Sequence, residues 1–366
     1  MQKRTVSRDT LFFGGCGNRT GGGRSGVSSG VFCDIIESMK GKIYVAVVSG
    51  GPSSEYEVSL KSGDMVAEGL DKERYEPIPV RVSRGGEWEL APESVKKNAS
   101  CAFIAMHGAY GEDGTIQRIF ESHDIPYTGS DALASALGMN KFLSLRLFRD
   151  AGLLVPATLL LTRSEWRKDH RSARERAERM IGYPLVVKPN NQGSSVGVFI
   201  ARNGGELDDA LAETLGFYRE VLVQEFIEGR EFTCGTLDHG FPESAFPLLP
   251  TEIIPRVSSF FDYRAKYEAE GSYEVTPPEN LSGETMKTIR SAAVFAHRII
   301  GASGFSRTDM IMDGKKNIYI LEINTIPGLT RESLIPKAAL AGGMTFSKLL
   351  DTIIRAGLNR RGRAPW

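Results

Sequence analysis

A β-hairpin predicted over residues 305–324 limits the fold more than any other part of this sequence. Two apolar segments flank a turn-forming sequence, Asp-Gly-Lys-Lys-Asn, at 313–317. Alternate side chains of a strand point to the same face, and folding the chain back at Lys315–Lys316 sets Asp309 opposite Glu322. The hairpin therefore brings two carboxylates together on strands that are otherwise apolar.

Two further polar side chains follow the same faces of this hairpin. Arg307 lies two residues before Asp309, and Asn324 lies two residues after Glu322. Facing carboxylates repel each other unless a cation lies between them, and carboxylate and amide oxygens suit Mg²⁺ held together with substrate phosphates. We predict a magnesium site at Asp309, Glu322 and Asn324. The alternative is a surface hairpin with a salt bridge from Arg307, against which the apolar neighbours argue.

Elsewhere in the chain, short apolar β-rich segments alternate with helical segments. In the first third this alternation predicts a parallel α/β sheet. The segments predicted there are strands at Ile43–Val48, Pro77–Val82 and Cys101–Met106 and a helix at Val58–Leu70. Later predicted helices cover Asn140–Asp150, Glu284–Ile300 and Thr345–Ala356, and later predicted strands cover Pro184–Lys188, Gly197–Ile200 and Val221–Phe226.

A polar loop rich in Gly, Ser and Asn follows Lys188, at the end of a predicted strand. Backbone N–H groups and hydroxyls in such a loop can bind phosphate oxygens, and the lysine supplies a point charge. Taken alone, a generic polar hairpin loop explains the segment equally well. Lys141, near a predicted helix start, and Lys266, in a long polar stretch, favour a phosphate site.

Three other segments contain candidate substrate-binding residues. Glu55 follows a Gly-Pro-Ser turn before the first predicted helix and could bind an ammonium group, although an acidic residue there also suits the helix dipole. His107 lies at a strand end in a glycine-rich loop and is more consistent with binding than with covalent catalysis. Ser333, in the turn that follows Asn324, could cap a helix or contact a substrate carboxylate.

Overall composition argues against several classes of protein. Forty-five basic residues balance forty-five acidic ones, which gives no reason to expect binding to nucleic acid or an anionic membrane. No segment approaches the roughly 18 apolar residues of a membrane helix, no P-loop motif occurs, and four scattered cysteines suggest a reducing compartment. We expect a soluble, cytoplasmic protein. Residues 1–38 are basic and glycine-rich and are predicted to be a disordered extension, a targeting segment or a mis-assigned start before Met39.

In this order, four motifs resemble D-alanine–D-alanine ligases of the ATP-grasp superfamily. They occupy residues 50–60, 107–115, 193–197 and 322–328. Each motif alone is moderately specific, whereas all four in sequence are highly specific. The resemblance runs from about Lys42 to Ala356.

The resemblance implies an α/β and α+β fold, with a small N-terminal parallel α/β domain before two α+β domains that clamp ATP. The implied domains are residues 39–130, 131–228 and 229–366. By the same resemblance, Asp309, Glu322 and Asn324 bind two Mg²⁺, which Mn²⁺ can replace. The implied ATP-binding residues are Lys141, Lys188, Ser194, Ser195, Gln224, Glu225, Phe226, Ile227, Glu231 and Lys266. The implied substrate residues are Glu55 and His107 for the first D-alanine, Arg307 for the reacting centre, and Ser333 and Leu334 for the second D-alanine.

A catalytic group of Glu55, Ser194, Tyr267, Arg307 and Gly328 is also implied. Tyr267 would bond to Ser194, which would reach Glu55, and this tyrosine favours an amine nucleophile and a dipeptide product. Arg307 and the Gly328 N–H could stabilise the tetrahedral oxyanion. The sequence departs from the family at Gln224, where an acidic residue is common; its amide oxygen can still accept a hydrogen bond from adenine.

The resemblance implies ATP-dependent joining of two D-alanines through an acyl phosphate, for peptidoglycan precursor synthesis, by a homodimer. An ATP-grasp ligase with another carboxylate or nucleophile is one alternative. A non-catalytic nucleotide-binding protein is another, but the acidic residues and Lys188 that such a protein would lack are present. Stereochemistry rests on the resemblance, since no residue pattern distinguishes D from L.

Overall fold

The computed structural model describes residues 41–193, 197–255 and 272–360. Within these ranges the strands form three sheets. The first sheet is parallel, in the order β2-β1-β3, and is accompanied by three helices. Its strands are β1 (Ile43–Gly50), β2 (Tyr75–Val82) and β3 (Cys101–Ile104), and its helices are α1 (Tyr56–Gly69), α2 (Pro92–Asn98) and α3 (Thr115–Ser122).

Burial explains why β1 lies at the centre of this sheet. Residues 45–48 are apolar without alternation, and their side chains are at most 1% exposed. Continuous apolar strands of this kind are covered on both faces, as crossover helices require. The predicted parallel α/β sheet is therefore confirmed.

Antiparallel pairing gives the second sheet, in the order β4-β7-β5-β6. Its strands are β4 (Thr158–Thr162), β5 (Leu185–Pro189), β6 (Phe199–Ala201) and β7 (Glu220–Glu225). Helices α4 (Ala132–Met139) and α5 (Lys141–Asp150) precede it, and α6 (Arg163–Lys168), α7 (His170–Met180) and α8 (Gly204–Phe217) accompany it. The Asn140 side chain accepts a hydrogen bond from the backbone N–H of Leu143, and this cap fixes where α5 starts.

The third sheet, also antiparallel, contains the predicted hairpin and runs in the order β11-β10-β8-β12-β13, with β9 paired to β8. Its strands are β8 (Gly229–Leu237), β9 (Phe246–Pro247), β10 (Thr251–Pro255), β11 (Ser272–Val275), β12 (Phe305–Asp313) and β13 (Ile318–Asn324). A short 3₁₀ helix (Pro242–Ser244) precedes β9, and α9 (Gly283–Ile299) packs against the sheet. The Asp313 side chain accepts hydrogen bonds from the backbone N–H groups of Lys315 and Asn317, which closes the turn where the sequence predicts it.

Two helices follow the hairpin, α10 (Leu334–Ala341) and α11 (Phe346–Asn359). Although α11 is the last helix of the described residues, its apolar face completes the core of the first sheet: Leu350 and Ile353 share one buried cluster with Val47. The hydroxyl of Tyr75 donates a hydrogen bond of 2.8 Å to Asp351. The first sheet therefore depends on residues from the far end of the chain.

The structure tests only some of the predictions about the N-terminal segment, the cysteines and the domain boundaries. Residues 1–38 lie outside the described residues, as do Cys16 and Cys33, whereas Cys101 and Cys234 are buried. The boundaries between the three predicted domains stay predictions. None of the helices in the described ranges combines the length and apolar character of a membrane span.

Candidate active site

A cleft lies between the second and third sheets and gathers most of the residues predicted to bind ATP. Strand β5 and the end of β7 line one side, and strands β8, β12 and β13 line the other. The lining residues are Lys141, Val186, Lys188, Pro189, Gln192, Val198, Gln224, Glu225, Phe226, Ile227, Glu231, Asp309, Ile311, Leu321 and Glu322.

Asp309 and Glu322 are direct cross-strand neighbours on β12 and β13, as the hairpin pattern predicts. A register shift next to Asp309 makes Leu321 an extra residue, because Met310 pairs with Ile320. Such a β-bulge turns consecutive side chains to the same side, and both Leu321 and Glu322 line the cleft. Without the bulge, the register near the turn would place Leu321 opposite Asp309.

Two lysines neutralise Glu322 in a buried setting. The ammonium of Lys141 lies 3.3 Å from a carboxylate oxygen of Glu322 and donates a 2.7 Å hydrogen bond to the backbone carbonyl of Gln192. Burial opposes ionisation of Glu322, but Lys141 and Lys188 outweigh it and lower its pKa to about 2. Burial lowers the pKa of Lys188 to about 8, against the attraction of Glu322. This end of the cleft therefore combines an ionised carboxylate with two desolvated amines.

Arg307 pairs with the other carboxylate. Its Nε and Nη2 atoms donate hydrogen bonds to the two oxygens of Asp309, at 2.9 and 2.8 Å, and the hydroxyl of Thr233 donates a third at 2.6 Å. Burial opposes the charge on Arg307, but Asp309 more than compensates and raises its pKa. The salt bridge considered in the sequence is present, but both side chains are largely buried rather than on an open surface.

The donor set fits magnesium bound together with a phosphate-bearing substrate. Asn324 pairs with Arg307 across the hairpin, so its amide lies one step from the two carboxylates. Among the residues described, no group of three or more His, Cys, Asp or Glu could hold a metal by itself. Mg²⁺ commonly takes one or two carboxylates and completes its shell with water and phosphate oxygens, which matches this pair.

The opposite end of the cleft has side chains suited to binding a nucleobase. The amide nitrogen of Gln224 donates a 2.9 Å hydrogen bond to the hydroxyl of Thr158. The amide oxygen, which is an acceptor, therefore points away from Thr158. The carboxylate of Glu225 accepts from the backbone N–H of Ala157, and this contact fixes the course of the chain leading to Phe226 and Ile227. Apolar side chains alternate here with a few polar groups, as small-molecule sites require.

Glu55 lies beside two glycine-containing loops, outside the lining of the cleft. It occupies the N-cap position of α1, and its backbone N–H donates to the Ser53 hydroxyl. A β-carbon placed on Gly108 would lie 2.8 Å from a Glu55 carboxylate oxygen, and one placed on Gly193 would lie 3.6 Å from it. The loop after β5 and the loop after β3 thus meet at this carboxylate.

Gly328 and Ser333 are in direct contact in the turn after β13. A β-carbon placed on Gly328 would lie 2.6 Å from the Ser333 hydroxyl oxygen. Ser333 occupies the N-cap position of α10, but its side chain binds Thr330 and makes no capping hydrogen bond. Ser333 therefore stands at the predicted capping position, immediately before the first helical residue, Leu334, but its side chain does not cap the helix.

His107 is 4% exposed and lies between α1 and the same turn. Its Nε2 atom is 2.8 Å from the Ser62 hydroxyl, and its Nδ1 atom is 3.0 Å from the backbone carbonyl of Ile326. Both ring nitrogens thus contact protein atoms. His107 therefore joins the first sheet to the segment that carries Gly328.

Four predicted residues lie outside the described residues. They are Ser194, Ser195, Lys266 and Tyr267. The predicted contacts from Glu55 to Ser194 and from Ser194 to Tyr267 stay predictions. Gly193, the residue before Ser194, does lie close to Glu55.

Four apolar residues of the cleft, Val186, Val198, Ile311 and Leu321, were not predicted from the sequence. Val186 shares a strand face with Lys188, and Ile311 shares one with Asp309, so period-2 alternation could have identified both. No local pattern identifies Val198 or Leu321: the first follows the glycine loop, and the second reaches the cleft only through the bulge.

Solved structures match this architecture closely. VanG D-Ala:D-Ser ligase from Enterococcus faecalis is 33% identical, with a TM-score of 0.77, over 87% of this chain and 100% of that one. The Bacillus anthracis D-alanine–D-alanine ligase complexed with ATP is 33% identical, with a TM-score of 0.71, over 88% and 99%. Together with the three sheets and the cleft between two of them, these matches define an ATP-grasp ligase.

Comparisons of sequence identify the family. A model described as "D-ala D-ala ligase C-terminus" matches residues 147–355, and one described as "D-ala D-ala ligase N-terminus" matches 44–100 and 90–130. The D-alanine–D-alanine ligase of Syntrophobacter fumaroxidans is 43% identical over 319 residues, which is 87% of this chain and 98% of that protein. That of Geobacter sulfurreducens is 39% identical over 85% and 92%. The chain belongs to the D-alanine–D-alanine ligase family.

Proposed function

We propose that this protein joins two molecules of D-alanine into D-alanyl-D-alanine, using ATP, for peptidoglycan precursor synthesis. The observation that carries the proposal is the facing pair Asp309 and Glu322, surrounded by Lys141, Lys188 and Arg307 at one end of the cleft. The positive charges of the two lysines and the arginine are suited to neutralising the negative charge of a transferring phosphoryl group.

ATP would lie along the cleft, with its base near Gln224 and its phosphates near the two lysines. Glu225, Phe226 and Ile227 would follow the adenine, and Glu231 would contact the ribose. Asp309, Glu322 and Asn324 would hold two Mg²⁺, with Mn²⁺ as a substitute. A divalent cation bound there would neutralise phosphate charge. Ser194, Ser195 and Lys266 would add further phosphate contacts.

In the first step, a carboxylate oxygen of the first D-alanine attacks the γ-phosphorus of ATP. The bond to the bridging oxygen breaks, ADP leaves, and an acyl phosphate forms. Glu55 would bind the ammonium group of this D-alanine, with His107 beside it. Holding the two reactants in one orientation replaces an encounter in solution, which is the main contribution such a site can make.

In the second step, the amine of the second D-alanine attacks the acyl carbon. A tetrahedral oxyanion forms, and as it collapses the acyl carbon–oxygen bond to phosphate breaks, the amide bond is completed, and the proton lost by the amine leaves with the phosphate. Arg307 has five N–H donors, of which Asp309 engages two, so donors remain for the oxyanion. The Gly328 N–H would be a second donor. Ser333 and Leu334 would bind the carboxylate of the second D-alanine.

A second candidate differs only in the nucleophile. The E. faecalis relative named above is called a D-Ala:D-Ser ligase, and the whole of that protein matches 87% of this chain. D-serine also attacks through an amine, so the proposed Glu55–Ser194–Tyr267 arrangement would accept either amino acid. Discrimination between them would fall to the turn at residues 328–334.

The experiment that tests the proposal measures ATP-dependent dipeptide formation with purified protein. D-alanine should give D-alanyl-D-alanine with equimolar ADP and phosphate, whereas L-alanine should give neither. Adding D-serine or D-lactate as a second substrate tests the nucleophile. Phosphate release without any dipeptide, or equal turnover of L-alanine, would overturn the assignment.

Two further predictions accompany this function. Its need for ATP supports a cytoplasmic location. The expected homodimer is tested by sedimentation equilibrium, in which a monomer mass at micromolar concentration would refute it.

A further inference from the structure

His107 contacts a hydroxyl on one side and a carbonyl on the other. The Nδ1 atom lies 3.0 Å from the carbonyl oxygen of Ile326 and 3.7 Å from a carboxylate oxygen of Glu112. The backbone N–H of Gly108 already donates to that carboxylate oxygen, at 2.9 Å. The carbonyl of Ile326 is therefore the closer partner of Nδ1.

The chemistry of these partners determines which ring nitrogen carries a proton. A backbone carbonyl can only accept a hydrogen bond, so Nδ1 must be the donor. In the neutral ring Nε2 is then the acceptor, and the Ser62 hydroxyl, 2.8 Å away, must donate to it. Every hydrogen-bonding atom of this ring is thus engaged by the protein.

Ser62 is positioned for this role by helix α1. Its side chain is fully buried, and it lies one helical turn after Ser59, whose hydroxyl accepts a hydrogen bond from the backbone N–H of His107 at 2.9 Å. The two serines hold the backbone and the ring of the same residue. The first two turns of α1, which begins after Glu55, are thereby joined to the loop after β3.

The other side of the ring reaches the turn proposed to stabilise the oxyanion. Ile326 is 1% exposed and lies two residues before Gly328, which contacts Ser333. A shift of His107 would move the Ile326 carbonyl and, with it, the Gly328 N–H. Misplacement of about 1 Å can lower turnover by roughly a hundredfold.

We infer that Ser62 is a positioning residue: it holds His107 as the Nδ1–H tautomer, and His107 in turn holds the segment that carries Gly328. This inference rests on the proposed ligase function for its kinetic consequence. It also gives His107 a role different from direct proton transfer, since neither ring nitrogen is left to face a substrate.

The tautomer is measured directly by ¹⁵N NMR of the full chain labelled at histidine, without any assay of activity. His107, assigned by its loss in His107→Asn, should show a protonated Nδ1 and an unprotonated Nε2 that accepts a hydrogen bond. In Ser62→Ala the Nε2 signal should move while Nδ1 stays protonated. A protonated Nε2 in a neutral ring would overturn the inference.

Kinetics then separate a positioning role from a structural one. Ser62→Ala should lower kcat for dipeptide formation by about tenfold and leave KM for ATP within about twofold. Ser306→Ala is the matched control, because Ser306 is also fully buried and lies 2.7 Å from Nδ1 of another buried histidine, His297. That control should lose stability and keep kcat.

Two substitutions of the histidine provide a second measurement. An asparagine amide can replace Nδ1 and still donate to Ile326, whereas a glutamine amide reaches the Nε2 position instead. His107→Asn should therefore retain more activity than His107→Gln. Equal losses in these two variants, or equal kcat in Ser62→Ala and Ser306→Ala, would refute the inference. If wild-type protein forms no dipeptide, the proposed function fails and the NMR result stands by itself.

Discussion

Arg307 holds both carboxylate oxygens of Asp309, at 2.9 and 2.8 Å, on the strand that faces Glu322. A bidentate pair of this kind fixes the plane of the guanidinium as well as its position. The cation proposed to stabilise the oxyanion is therefore oriented by a carboxylate proposed to bind metal. Loss of either residue should disturb the other, so the variants at this pair need separate readouts.

Replacing Arg307 should affect the chemical step. Arg307→Ala removes an oxyanion donor, and kcat should fall by about a hundredfold to a thousandfold, on the order of 3–4 kcal/mol of transition-state stabilisation. Arg307→Lys is the matched control, since it keeps the charge but lacks the planar fork, and should recover only part of the rate. Steady-state assays of dipeptide formation provide the measurement. Near-normal turnover of Arg307→Ala would show that the oxyanion assignment is wrong.

Removing the divalent metal should abolish activity. Treatment with EDTA should stop dipeptide formation, and Mg²⁺ or Mn²⁺ should restore it. Asp309→Asn should raise the Mg²⁺ concentration needed for half-maximal rate by about tenfold or more, because even outer-shell partners typically contribute that much to metal affinity. Binding of Mn²⁺ in the presence of ADP, followed by EPR, gives a readout independent of turnover. Glu68→Gln, on an exposed part of α1, should change neither. Activity that survives EDTA would contradict the proposed metal site.

A pair of glycine substitutions tests the site around Glu55. Gly108 has φ +75°, and a β-carbon there would lie 2.5 Å from the Ser53 hydroxyl and 2.8 Å from Glu55. Gly86 has φ +86° with nothing within 4 Å of such a carbon. Both alanine variants should lose about 1 kcal/mol of stability from backbone strain, but only Gly108→Ala should raise KM for D-alanine. Initial rates over a range of D-alanine concentrations distinguish them. Matching KM values would mean that Glu55 does not bind the substrate.

Asp351 should make the stability of the protein depend on pH. Burial opposes its ionisation, but hydrogen bonds from Tyr75 and Lys348, with the charge of Arg355, outweigh burial and lower its pKa. A carboxylate with a lowered pKa stabilises the folded protein above its unfolded pKa of about 3.9, and this contribution is lost as pH falls through the folded value.

Asp351→Asn should therefore cost about 1–2 kcal/mol at pH 7 and progressively less as the pH falls below about 4. Urea unfolding at several pH values measures the difference. Asp64→Asn, at an exposed carboxylate 3.9 Å from Arg81, is the control and should cost little at any pH. A loss of stability that stays constant down to acid pH would refute the assignment.

The hairpin was predictable because its information is local. Alternation in β12 and β13, and a turn sequence between them, were sufficient to place Asp309 and Glu322 on facing strands, although their direct pairing also depends on the bulge. The bulge at Leu321 was not predictable, because one extra residue leaves the apolar pattern on each side intact. Two of the lysines proposed to bind ATP, Lys188 and Lys141, were identified from a strand end and a helix start, which are also local features.

What the sequence did not show depends on contacts between distant residues. Nothing near His107 in sequence indicates that Ser62 and Ile326 occupy its two ring nitrogens. The buried pair of His297 and Asp238 was not predictable for the same reason, because the sequence around a helical histidine does not show whether it is buried. Partners of this kind become visible only once the elements are packed.

The docking of α11 on the first sheet affects how the chain folds during synthesis. Tyr75 and Asp351, which meet at 2.8 Å, are 276 residues apart. At about 5–20 residues per second, the ribosome needs on the order of 15–55 seconds to add that length. During this time β1, β2 and β3 have left the ribosome without the helix that covers their core. We therefore expect the sheet translated first to be among the last to become stable, with apolar surface exposed on the nascent chain until α11 docks.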